Sequence, residues 1–169
     1  QLKDAMLASF FTENEALKLM YAIEEASKGD ANKAAGAAEF CLILVEHMEM
    51  GLNALVAAAF HYSACIENRE HCHDGRSILK VWHETPTHRG LAAFGSHAVD
   101  ICEDAGRLKK LEMVFSSIVN NPDKVRKYPD SKDAESLRKL LLSSTKDWRA
   151  LAIRSAASLF RLRGLAKAS

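Results

Sequence analysis

Proline and glycine are scarce, three and eight in 169 residues. Proline breaks helices and glycine weakens them. Their scarcity, beside abundant Ala, Leu, Lys and Glu, favours a mostly helical chain. A charge excess is also missing. Twenty-three Lys and Arg stand against 22 Asp and Glu, a formal net charge of +1, so nothing global points to nucleic acid or to an acidic membrane surface. No apolar run reaches the length of about eighteen residues that a membrane-spanning helix needs. No signal or transit segment is visible. Cysteine is sparse too: Cys41, Cys65, Cys72 and Cys102 match neither a zinc ribbon nor a redox C-x-x-C. Cys41, Cys65 and Cys102 fall in apolar stretches and read as reduced, buried small residues of a reducing compartment.

What is present is hydrophobic residue, 48% of the chain, which argues against disorder. The length suffices for one domain with a substantial core. Apolar spacing predicts a helix over Asn14–Ser27, with Leu17, Met20, Tyr21 and Ile23 near one face and Lys28-Gly29-Asp30 as its stop. Residues 31–38 are Ala-rich and weakly patterned. Phe40–Met50 reads as a strongly apolar helix ended by Gly51, and Asn53 as the cap of the next. The alanines between Leu55 and Ala64 imply close helix–helix approach in the centre of a bundle. The pattern breaks over 68–89, which reads as an inserted loop. Periodicity returns from Leu91 with Phe94, Val99 and Ile101. Pro122 and Pro129 mark a second loop, and Asp133–Leu142 and Asp147–Ala166 the last helices. The sum is an all-α single domain over 1–169 of about six to eight helices. It starts and stops inside helical patterns, as a piece of a longer protein would.

Three stretches carry a resemblance. Leu42–Tyr62 is L-I-L-V-E-H-M-E-M-G-L-N-A-L-V-A-A-A-F-H-Y, Phe94–Leu111 is F-G-S-H-A-V-D-I-C-E-D-A-G-R-L-K-K-L, and Ala134–Leu165 opens on A-E-S-L-R-K and continues through D-W-R-A-L-A-I-R-S-A-A-S. In this order they resemble the HD-type (p)ppGpp hydrolase domain of the RelA/SpoT homologue family. The resemblance implies an HD-domain-like helical bundle. It also implies a place ahead of a GTP pyrophosphokinase (synthetase) domain, which this chain does not include. In that family a metal ion, usually manganese, is held by two His and two Asp, and a Glu-Asp pair helps activate water.

Carried onto this chain, the resemblance implies loss of that chemistry. The first His aligns with Glu39 or Cys41. The H-D pair is His61-Tyr62, the Glu-Asp pair is Cys65-Ile66, the nucleotide-side Asn is Ser136, and the last metal-ligating Asp is Ala157. One imidazole does not hold a hard divalent ion, so no cofactor is expected. The expected function is a catalytically inactive hydrolase-like domain, regulatory or structural toward the synthetase domain of the same polypeptide. The full-length protein is then expected to be a GTP pyrophosphokinase in plastid stroma or cytoplasm.

Arg149 and Arg154, with Ser136, are the candidate guanine-nucleotide contacts. With Arg161, Arg163 and Lys167 they make the last helix basic, which otherwise reads as a solvated face. Two alternatives stand beside this. One is a remodelled metal-dependent phosphohydrolase using His61 with the Glu70-His71-Cys72-His73-Asp74 cluster. The other is a helical dimerisation or interaction module forming a homodimer. Trp82 and Trp148 read as packing anchors.

Overall fold

Thr12 and Glu15 close the first well-defined helix boundary. The Thr12 hydroxyl accepts from the Glu15 amide at 3.3 Å, and the Glu15 carboxylate accepts from the Thr12 amide at 2.9 Å, a reciprocal pair that satisfies two otherwise orphaned donors. The same logic starts the next helix. Asp30 accepts from the amides of Asn32 and Lys33 at 2.9 and 3.1 Å. Between these helices Lys28 and Gly29 take left-handed conformations, φ 52° and 78°, and reverse the chain.

The computed structural model describes residues 1–71, 90–119 and 146–168. Among them are six helices and no strand: α1 Leu2–Ala8, α2 Glu13–Ser27, α3 Ala31–Met48, α4 Leu52–His71, α5 Ser96–Val119 and α6 Trp148–Ala168. The fold is an all-α bundle. At its centre lies α4, where Ala54–Phe60 are buried in unbroken succession. A helix buried all round must be enclosed, and α2, α3, α5 and α6 all pack on it. Alanine at four of those seven positions lets the neighbouring backbones approach closely. Across the α3–α4 contact the Cys41 thiol donates to the Leu55 carbonyl at 3.5 Å.

A long-range contact seats α6. The buried Asp104 of α5 accepts from the amides of Lys146 and Asp147 at 2.9 and 3.1 Å and pairs with Arg107 at 2.6 Å. Asp147 in turn accepts from the Arg149 amide at 2.9 Å, capping the helix it precedes.

Several sequence expectations are corrected. The Ala-rich 31–38 segment is part of α3, because Asp30 caps it from the front. Asn53 does not cap α4. The Gly51 carbonyl accepts from Ala54 and Leu55, and Asn53 lies in the first turn. The helix also runs past 68 to His71. On α2 the buried face is Ala16, Leu19, Ala22, Ile23 and Ala26, while Leu17, Met20 and Tyr21 are exposed. Gly95, at φ 106°, interrupts the helix expected from Leu91, and α5 begins only at Ser96. Trp148 is no packing anchor, being 66% exposed. The expected loop over 72–89, including Trp82, and the helix over 133–142 lie outside the described residues.

Candidate functional site

Of the residues singled out by the three matching stretches, His61, Cys65 and Arg154 come together where α4, α5 and α6 meet. His61 and Cys65 are one turn apart on α4. Arg154 and Ala157 are three apart on α6. Helical spacing puts each pair on one face.

His61 is buried, and its Nε2 lies 3.1 Å from Nη1 of Arg154. Arginine has donors and no acceptor. Nε2 therefore accepts, and the ring carries its proton on Nδ1, an assignment made from the network. Arg154, 7% exposed, is held from its other edge by Glu112 of α5. Its Nε donates to Oε1 at 3.1 Å, and its Nη2 pairs with Oε2. This two-pronged geometry is the strong form of an arginine–carboxylate pair.

Cys65, half-buried, places its sulfur 3.5 Å from the same Nε2. Two donors thus converge on one lone pair. Burial pushes the Cys65 thiol up, but His61 and Lys109 beside it outweigh burial and bring it down to about 6. The other two described cysteines behave oppositely. Burial pushes Cys41 up to about 12, and burial, with the charges of Cys65 and Glu103, raises Cys102 well above its ordinary value.

The sign of the pH dependence follows. From about pH 6 to the ordinary thiol value of 9.0, the unfolded chain holds a proton at Cys65 that the folded chain has lost. Stability then rises with pH across that window, by at most about 1.4 kcal/mol per pH unit, and the gain is lost as pH falls to 6. Cys41 and Cys102 lower stability only as pH rises past 9. Urea unfolding at a series of pH values is expected to show the rise in the parent chain and a flatter profile in Cys65→Ser.

Tyr62 occupies the middle of the cleft. Its ring packs against Phe40 of α3 and Phe160 of α6, with centroids 5.7 and 5.4 Å away. The phenol lies directly over Gly36 of α3, where a Cβ would stand 2.7 Å from Cζ and closer still to the hydroxyl. Ala157 packs, half-buried, on the core beside these rings, and Ile66 is half-buried as well.

Arg149 is engaged with Asp147 through both carboxylate oxygens, at 2.9 and 3.0 Å from Nε. That pairing holds the Asp147 carboxyl below the usual carboxylate range. Arg154 is engaged with Glu112 and His61, as above. Ser136 lies outside the described residues, as do 72–74 of the His- and Cys-rich cluster. Among the described residues no three His, Cys, Asp or Glu side chains gather as a metal site.

No protein-family model, curated protein or solved structure matches the chain. The site is therefore read from its own residues. Glu112, Lys109 and Gly36 were not singled out by the sequence. The His61/Cys65 spacing was a visible signal for that pair. Nothing local marks Glu112, 42 residues from its arginine.

Proposed function

We propose that this chain is a catalytically inactive (p)ppGpp hydrolase-like domain of a RelA/SpoT-type protein. It would serve as a regulatory or structural domain for a neighbouring GTP pyrophosphokinase domain. The observation that carries this is the Arg154 guanidinium bonded to Nε2 of His61. The resemblance leaves one imidazole of a former metal site, and that imidazole's lone pair is already used by a fixed cation. A divalent ion placed there would meet a positive charge instead of a donor. Ala157 offers no lone pair, and Tyr62 fills the space between α3 and α6. This donor set does not fit manganese. The water-activating carboxylates the family uses are replaced by Cys65 and Ile66, neither suited to that task.

The same arrangement makes the domain a good scaffold. A cleft filled by an aromatic cluster and a charge network is rigid, and a rigid body transmits contact with a neighbouring domain. Regulation would then be a difference in how the synthetase's two states contact this surface. The phosphohydrolase alternative needs a free lone pair on His61, which the geometry does not provide.

The test is calorimetric titration with ppGpp, with and without manganese, followed by assay for GDP and pyrophosphate. No manganese-dependent product is expected. Binding without turnover would make the domain a nucleotide sensor, and absence of binding a structural partner. Manganese-dependent release of pyrophosphate would overturn the proposal.

A further inference from the structure

Two faces of the chain stand open, both apolar and opposite in charge. The first is a groove of about 500 Å³ between α2 and the start of α3. Leu17, Met20 and Tyr21 form its outer wall, and the charged residues among its described lining are Glu24 and Asp30, both acidic. In its lining lies the hydroxyl of Ser27, buried and without a hydrogen-bond partner.

The second face is the end of α6. Residues 161–166 are exposed on every side of the helix. Leu162 and Leu165, 63% and 69% exposed, lie three residues apart and share a side. Arg161 and Arg163 flank them. Arg161 reaches Ser158 at 3.3 Å and Arg163 reaches His47 at 2.9 Å, and neither meets a carboxylate among the described residues. From Trp148 to Ala168 the helix has no acidic residue.

We propose that the α6 end of one copy seats in the α2–α3 groove of a second copy. Leu162 and Leu165 enter the apolar floor, and Arg161 and Arg163 meet Glu24 and Asp30. Six helical residues span about 9 Å, a length suited to the groove. A symmetric pairing of α6 on α6 would instead set arginines against arginines, a cost in affinity. Because the two faces differ, the contact is head-to-tail, and copies build closed rings or open chains. Neither His61 nor Arg154 takes part, so this association and the inactive-hydrolase proposal can fail separately.

Sedimentation velocity over a wide concentration range tests it. The mass is expected to rise with concentration and to fall again with added salt, which screens the pairs. Leu162→Glu with Leu165→Glu should give a monomer. Glu24→Arg alone, or Arg161→Glu with Arg163→Glu, should each weaken association by about tenfold, equivalent to 1.4 kcal/mol. Mixing these last two variants should restore it. All the substituted positions are exposed, and circular dichroism checks that each variant folds. A monomer at every concentration overturns the proposal, whether or not its α6 end binds anionic vesicles or an acidic helical peptide instead. So does association that the substitutions leave intact, or a mixture that fails to recover it.

Discussion

Gly36→Ala is expected to destabilise the chain by about 3 kcal/mol, at the upper end of what overpacking a core costs. An exposed glycine in a helix interior normally behaves the other way, since alanine gains about 0.8–1.0 kcal/mol of helix propensity. The reversal comes from Tyr62. A methyl group at 36 would stand 2.7 Å from Cζ of that ring and nearer to its hydroxyl. The ring has nowhere easy to go, because Phe40 and Phe160 hold it from two sides. Either α3 moves away from α4 or Tyr62 leaves the aromatic cluster, whose pairs contribute about 0.5–1.5 kcal/mol each beyond burial. The decisive measurement is a double-mutant cycle by urea unfolding. In a Tyr62→Ala background, Gly36→Ala should change sign and stabilise the chain by a few tenths of a kcal/mol or more. A loss of equal size in both backgrounds would mean that the phenol is not what Gly36 accommodates.

Asp104→Ala should cost about 3 kcal/mol, combining the loss of a helix cap with the breaking of a largely buried ion pair. One carboxylate does three things here. It accepts from the Lys146 and Asp147 amides, it pairs with Arg107, and through these it fixes where α6 begins against α5. The amides are close to solvent, and Arg107 is partly exposed, so water and counter-ions recover part of the loss and keep it below the largest values for buried pairs. Asp104→Asn keeps an oxygen for the two amides and gives up the charge and the acceptor that faces Arg107. Its cost should be nearer 1 kcal/mol. Unfolding experiments on both variants test the order. Hydrogen exchange tests the mechanism: the first turn of α6 should lose protection in Asp104→Ala while the centre of α4 keeps it. Uniform loss of protection would show that Asp104 supports the whole bundle and not the seat of α6.

These two positions illustrate how unevenly the molecule can be read from its sequence. Thr12-x-x-Glu15 and Asp30 carry start signals that act within three residues, yet the reading from sequence did not use the first and took Asp30 as part of a stop. The alanine run of α4 announces the bundle centre, because only a helix enclosed on all sides tolerates apolar residues at every position. Asp104 announces nothing. Arg107 is three residues on, but the amides that Asp104 caps are 42 and 43 residues away, and a carboxylate with an i,i+3 arginine looks locally like any solvated one. Gly36 lies in a stretch that reads only as Ala-rich and weakly patterned, yet it is where the hydroxyl end of a tyrosine from the next helix comes close.

The candidate site divides the same way. His61, Tyr62, Cys65, Ile66 and Ala157 were named by the resemblance, and the structure sets Cys65 beside His61 and Tyr62 between Phe40 and Phe160. The network among them could not be named. Arg154 and His61 are 93 residues apart, and Arg154 was singled out as a contact for nucleotide, whereas its guanidinium is engaged with Glu112 and His61. The outward face of α2 was misread because Leu17, Met20 and Tyr21 are as apolar as the residues that are buried.

By itself, then, the sequence determined that the chain is helical and which helix lies innermost. Those properties rest on backbone propensity and periodicity, both set within about one turn. Which apolar face meets a neighbour, which arginine is neutralised and which glycine must stay bare were decided only in the tertiary structure. Each depends on a partner brought near by helix packing, and nothing within a turn of the residue encodes that partner.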